Sequence, residues 1–209
     1  MPADLWFRSL VVGPCETNCY LLCAEREVLV IDPGGDSDEI LGLIESEGLS
    51  VVMVVNTHGH GDHIGANAPL KERFGCPIVI HEADAAFLTD PGLNLSAYLG
   101  SDAVVGPPAD RLLRERDEVR IGSMCLRVIH TPGHTPGGMC LYADGHLFSG
   151  DTLFAGSVGR TDFPGGSMEQ LAGAIRDKLL VLPNGTVVYP GHGPTTTIGD
   201  EKAANPFIG

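Results

Sequence analysis

The sequence predicts an α/β protein in which two similar sheets pack face to face with helices outside both. Three observations carry this expectation. Short apolar runs with strand character come in groups, each group is followed by a segment of helical period, and the second half repeats that order in outline. With 209 residues, 43% of them hydrophobic, the chain can bury a sizeable core and fits one domain spanning 1–209.

Apolar runs at about 5–12, 18–23 and 27–31 end in the turn Asp32-Pro33-Gly34-Gly35 and read as a meander of strands. SDEILGLIESEGL then spaces Ile40, Leu43 and Ile44 by three and four. Ser37 or Asp38 can cap this segment and Gly48 can end it, so a helix is expected near 38–47. VVMVVN (51–56) is apolar throughout, as in a strand covered on both faces. A helix over 64–74 and a strand over 77–80 follow. In the second half, strands are expected at 118–121, 124–130, 137–143 and 146–149, with hairpin turns at Gly122-Ser123 and Asp144-Gly145. Ser167 and Gln170 form a capping box for a helix running to about 181. TVVYP (186–190) is the last strand. The segment 84–116 breaks the rhythm: it reads either as a lid or binding element, or as a solvated loop with a short helix.

Net charge is −14, with only 13 Lys and Arg to meet phosphates. That argues against a nucleic-acid partner and against an anionic membrane surface. No run approaches the ~18–20 apolar residues of a membrane span. MPADLWFRSL lacks a basic stretch followed by an apolar one, so the expected address is the cytoplasm. Cysteines stand at 15, 19, 23, 76, 125 and 140 without a C-x-x-C pair. Cys19, Leu21 and Cys23 alternate with period two, so these thiols are expected to pack as small hydrophobes on one strand face.

NTHGHGDHIG (56–65) puts three histidines and an aspartate into six positions. A core cannot hold such groups unpaired. Other donors also follow strands: His134 in HTPGHTPG, Asp151 in FSGDTLF and His192 in YPGHGP. On an extended loop, residues two apart project to the same side, so His58 and His60 can share one metal. Asp62 and His63 then turn toward a neighbouring position. Five histidines and two carboxylates exceed the three protein ligands of one catalytic ion. They suit two divalent ions about 3.5–4 Å apart with a bridging carboxylate, for which Asp151 is the candidate. Such ligands take zinc first, and iron or manganese as alternatives. His81, His130 and His146 read as structural or solvated histidines, with His130 alone near enough in sequence to stand behind a ligand.

The motifs GPCETNCYLL, VIDPGG, THGHGDH, HTPGHTPGG, SGDTLFAGSVGR and YPGHGPTTT resemble the metallo-β-lactamase fold superfamily, and within it the glyoxalase II-like hydrolases. The resemblance covers most of the chain and implies a four-layer αββα sandwich with the metals at one edge between the sheets. It implies that one ion takes His58, His60 and His134. The other takes Asp62, His63 and His192, and Asp151 bridges them. Asp32 matches an acid beside the site. Cysteine stands at the Asp151 position in the commonest zinc β-lactamases, which argues against antibiotic hydrolysis, and ribonuclease-type members need more basic surface than this chain offers.

Hydroxide formed at such a centre at neutral pH would attack a polarised acyl carbonyl. Asp62 and Asp151 serve first as ligands, and any proton handling by them is secondary. A thiolate leaves without a strong general acid, which favours thioesters. The resemblance implies a small-molecule, glutathione-derived substrate such as S-lactoylglutathione. The chain departs from the type members by stopping at Gly209 without their C-terminal helical extension. In Gly159-Arg160-Thr161-Asp162-Phe163, Arg160 could hold a substrate carboxylate or could pair with Asp162. The same string resembles the persulfide dioxygenases, which use one iron. Against that alternative, Pro190-Gly191-His192-Gly193-Pro194 differs from their terminal motif. A lactonase or nuclease activity on the same fold is a further alternative.

Overall fold

The computed structural model describes residues 6–98 and 103–208. The first sheet holds β1 (Trp6–Val12), β2 (Thr17–Ala24), β3 (Glu27–Ile31), β4 (Ser50–Asn56), β5 (Ile78–His81) and β6 (Arg111–Leu113) in sequential order. Its first three strands are an antiparallel meander, and β3 to β6 run parallel. The parallel pairs require crossovers. These carry α1 (Ser37–Ser46), then α2 (Gly61–Ile64) and α3 (Asn67–Phe74).

The second sheet comprises β7 (Glu118–Ile121), β8 (Met124–His130), β9 (Met139–Ala143) and β10 (His146–Gly150) as an antiparallel run. A small hairpin, β11 (Leu153–Phe154) and β12 (Ser157–Val158), follows outside it. After α4 (Met168–Ala174), β13 (Val187–Pro190) returns parallel to β10. The strand β14 (Thr196–Thr197) closes the edge and leads into α5 (Ile198–Ala204).

Side-chain alternation builds the layers. On β2, Cys19, Leu21 and Cys23 face α1 and α3, packing with Ile40, Ile44 and Leu70. Tyr20 and Leu22 point the other way, against Val128, Leu141 and Phe148 of the second sheet. The outer face of that sheet, with Cys140, Leu147 and Val188, packs on Leu171, Ile175 and Ile198. Three apolar layers therefore separate four structural ones, the αββα sandwich expected from the sequence. Each large aliphatic residue so buried contributes about 1.5–3 kcal/mol relative to exposure.

Several elements differ from expectation. The helix expected over 64–74 is two helices, α2 and α3, the second beginning at Asn67. The first helix starts at Ser37 behind Asp36, whose carboxylate accepts from the Gly13 backbone N–H at 2.7 Å instead of capping the helix. The α4 helix is capped by Ser167 Oγ as expected, but ends at Ala174 and passes into a π-helical turn, Ile175–Leu179. Short β6, β11, β12 and β14 carry too few residues for a readable period, and α5 follows its strand directly.

The irregular 84–116 segment, apart from 99–102, which lie outside the described residues, is anchored in the protein through part of its length. A 3-10 turn, Glu82–Leu88, buries Asp84, Phe87 and Leu88, and Asn94 and Ser96 are buried just beyond it. Beyond Ser96 its described residues are mostly exposed or half-buried, as in a solvated loop, while Leu95 lines a cavity.

Candidate metal centre

The centre forms where β3, β4, β8, β10 and β13 end on one edge of the sandwich. Asp32 follows β3, and His58, His60, Asp62 and His63 follow β4. His134 comes after β8, Asp151 after β10 and His192 after β13. Backbone hydrogen bonds lock these loops across the two sheets. The N–H of Met139 donates to Thr57 O at 2.9 Å, and that of Asn18 to Gly191 O at 2.7 Å. Asn18 Nδ2 also donates to Pro190 O and Gly193 O at 3.0 and 2.9 Å, clasping both sides of His192.

All seven donors singled out from the sequence come together. His60 Nδ1 lies 2.9 Å from His134 Nε2, which is 3.3 Å from His58 Nε2. His63 Nε2 lies 3.2 Å from His192 Nε2 and 3.7 Å from Asp62 Oδ2, and Asp62 Oδ2 is 3.4 Å from His192 Nε2. Asp151 stands between the two groups: Oδ1 is 3.4 Å from His63 Nε2, while Oδ2 is 3.5 Å from His134 Nε2 and 3.6 Å from His192 Nε2. Its Oδ1 is buried without a hydrogen-bond partner. His58, His60, His63 and His134 are buried, whereas His192 is partly open.

The partners behind the rings fix which nitrogens face inward. Thr57 Oγ1 donates to Asp32 Oδ2 at 2.6 Å, so it accepts from His58 Nδ1, 3.3 Å away. His134 Nδ1 donates to the carbonyl of Arg160 at 2.7 Å, and His63 Nδ1 donates to Asp32 Oδ2 at 3.1 Å. In His58 and His134 this leaves an Nε2 lone pair aimed inward, and in His63 Nε2 is the nitrogen that faces inward. The lone pairs of His58 and His134 face each other at 3.3 Å, an arrangement that repels unless a cation lies among them. The unpartnered Asp151 Oδ1 lies beside His63, and Asp151, His58 and His63 together offer clustered ligand atoms. These residues fit divalent cations, and Asp32 supplies the acid behind His63.

Electrostatics agree. Burial, reinforced by the neighbouring histidines, pushes His58 well below the usual imidazole range. Burial opposes charge on Asp62, yet His63 and His192 hold it well below the carboxylate range. Burial also opposes charge on His63, but Asp151, Asp62 and Asp32 outweigh it and lift the ring to about 10. The same carboxylate field favours a divalent cation at Nε2, where a ligand must be deprotonated, so cation and proton compete for this nitrogen.

A cavity of about 410 Å³ opens over the centre, walled by Leu95, Phe154, Val158 and Phe163 on its apolar side. Arg160 lies at this cavity, largely exposed. It pairs with Asp162 at 2.8 and 2.7 Å and stacks 3.9 Å from the Phe163 ring centroid. Of the two readings of Arg160, the pair with Asp162 is the one formed, and the residue also lines the cavity. His130 does not support a ligand. It stacks on His81 at 4.0 Å, and its Nε2 donates to Pro136 O at 2.9 Å. His146 bonds the Tyr189 hydroxyl at 3.0 Å.

Sequence reasoning missed Asn18 and Asp84, which touch the donor loops from distant segments. The glycines between the donors, expected to allow close backbone approach and to let the loop fold between them, do meet near neighbours. A Cβ at Gly59 would lie 2.3 Å from the Phe87 Cβ, and one at Gly61 would lie 2.9 Å from the Ser96 Cβ. Those glycines seat the loop on the 82–98 segment.

Strand-end donors converging at one edge of an αββα sandwich define a metallohydrolase-type centre. The chain belongs to the metallo-β-lactamase superfamily, whose model matches residues 12–192. It is 40% identical over 204 residues to the "Probable metallo-hydrolase YqgX" of Bacillus subtilis, covering 97% of both chains. It is 36% identical over 197 residues to the "Hydroxyacylglutathione hydrolase GloC" of Haemophilus influenzae, covering 92% of this chain and 93% of that one. Among solved structures, it is similar to the BLEG-1 B3 metallo-β-lactamase (TM-score 0.93, 40% identity, 97% and 99% of the two chains). TTHA1623 in a di-iron-bound form gives a TM-score of 0.86 at 38% identity, covering 96% and 99%. ETHE1 from Myxococcus xanthus gives 0.78 at 32%, covering 97% and 84%. No helix among the described residues is long and apolar enough to cross a membrane.

Proposed function

We propose that this metallohydrolase cleaves small thioesters, of the S-2-hydroxyacyl-glutathione kind, at a centre of two divalent cations. His58, His60 and His134 would hold the first, Asp62, His63 and His192 the second, and Asp151 lies between the two groups. The observation that carries the reading is the convergence of ligand atoms in two groups, with one Asp151 oxygen 3.4 Å from His63 and the other 3.5 Å from His134. When bound, the cations supply Lewis acidity to an acyl carbonyl and to water.

The chain's own groups do the rest. Asp32 and the Arg160 carbonyl keep His63 and His134 in the tautomer that faces the substrate. Leu95, Phe154, Val158 and Phe163 exclude bulk water and receive the apolar part of the acyl thioester. Arg160 can turn from Asp162 to a substrate carboxylate by the same bidentate geometry. Asp62 and Asp151 are committed to the cluster, so neither stands ready to protonate an amine. A thiolate leaves without such an acid. The similarity to the Haemophilus hydroxyacylglutathione hydrolase supports this choice.

The similarity to BLEG-1 favours β-lactam hydrolysis as a second reading, because an aspartate at position 151 speaks only against the cysteine-bearing type. One set of assays separates the readings. Purified protein should carry close to two metals per chain and hydrolyse S-lactoylglutathione, and Asp151→Ala should lose both properties. Cleavage of a chromogenic β-lactam without thioester hydrolysis would replace the substrate assignment. Oxygen uptake with glutathione persulfide and one iron per chain would make the protein a dioxygenase. Full metal content in Asp151→Ala would refute the bridging role.

A further inference from the structure

We propose that Asp84 is a positioning residue that holds two donor loops at a fixed separation, so that His58, His60 and His134 meet. The proposal rests on the two-cation reading above and deepens it. Asp84 lies on the Glu82–Leu88 turn with no exposed surface. Its Oδ2 accepts from the Gly59 N–H at 3.1 Å and from Thr135 Oγ1 at 2.7 Å, and its Oδ1 accepts from the Gly137 N–H at 2.6 Å. Gly59 sits between His58 and His60, while Thr135 and Gly137 follow His134. One carboxylate thus grips both loops that bring the first three histidines together.

The packing leaves the loops no other seat. A Cβ at Gly137 would lie 2.6 Å from the Asp84 Cγ and 2.7 Å from its backbone nitrogen. Burial pushes the Asp84 carboxyl upward, and the three hydrogen bonds work against that push. A purely apolar turn would avoid this desolvation, so the acid is retained against its cost. Its acceptor-only chemistry is the reason it works. A carboxylate can accept on both oxygens, whereas an amide of the same shape has one accepting oxygen and one donating nitrogen. Whichever way an amide turned at this position, an N–H donor of one loop would face its NH2 group.

The test uses the full chain stripped of metal. Cobalt(II) is titrated in while visible absorption is followed, and amide exchange at Gly59 and Gly137 is read by NMR. In Asp84→Asn, one of the two cobalt equivalents should bind about 10–100-fold more weakly while the other stays as in the wild type. The Gly59 or Gly137 amide should lose protection, with β4 amides unchanged. Unaltered binding of both equivalents, or equal weakening of both, would overturn the proposal. Should Asp84→Asn fail to fold, Thr135→Val removes one of the three bonds at constant shape. It should weaken the same equivalent by less, and Thr135→Ser should restore it. No change in Thr135→Val would then count against the proposal. A single cobalt equivalent in the wild type would refute the two-cation reading alone, and the Gly59 and Gly137 exchange would still decide the role of Asp84.

Discussion

Gly191→Ala tests the compactness of the centre with one methyl group. Gly191 precedes His192, and a Cβ built on it would lie 2.3 Å from Asp151 Oδ1 and 2.8 Å from His63 Cε1. Ordinary contact begins near 3.4 Å, so the carboxylate must retreat by about 1 Å or the His192 loop must move as far. The loop is clasped by Asn18 on both sides, which leaves the Asp151 side chain as the softer partner. A misplacement of that size costs on the order of 10²-fold in rate, and overpacking costs about 1–3 kcal/mol of stability. Metal content by atomic emission, thioester hydrolysis and urea denaturation would be measured together. Gly173→Ala is the control, since its Cβ meets nothing within 4 Å near the end of α4. It should stabilise by about 0.5–1 kcal/mol. If Gly191→Ala kept wild-type metal content and rate, Asp151 could not stand where this reasoning needs it.

Two other outcomes follow from residues outside the donor set. Burial, with His130 stacked alongside, pushes His81 down to about 4 from an ordinary 6.5. A depressed histidine favours the folded state fully above pH 6.5, and this contribution fades as pH falls toward 4. His81→Gln should therefore flatten the decline of urea stability across that window, and an unchanged slope would refute the assignment. Asn18→Leu leaves the Gly193 carbonyl without its side-chain donor and the Pro190 carbonyl with the Tyr20 hydroxyl alone. It should cost about 1–3 kcal/mol by denaturant midpoint, with His192-side metal affinity reduced, whereas wild-type stability would show that the clasp contributes little.

The donor set was readable because each member follows a strand and carries an unusual local signature. Histidines at 58, 60 and 63 around Asp62 have few other uses, and glycines or prolines mark the turns at His134, Asp151 and His192. The alternation of Cys19, Leu21 and Cys23 against Tyr20 and Leu22 likewise announced a strand with apolar layers on both sides, which the packing bears out. Asp84 gave no such sign. It is one acid among alanines, and its partners stand 25, 51 and 53 residues away. Asn18 reaches across more than 170 residues to clasp the His192 loop.

What the sequence by itself determined was written in short-range order: most strand and helix periods, the layered core and the chemistry of seven candidate metal donors. Those features depend on neighbours two to four positions apart, where backbone geometry dictates which side chains share a face. The tertiary structure decided which nitrogen faces inward in His58, His63 and His134, and what the 82–98 segment does. Each of these depends on a hydrogen bond or close contact made after the two sheets have met. A linear pattern carries no record of such a partner until folding supplies it.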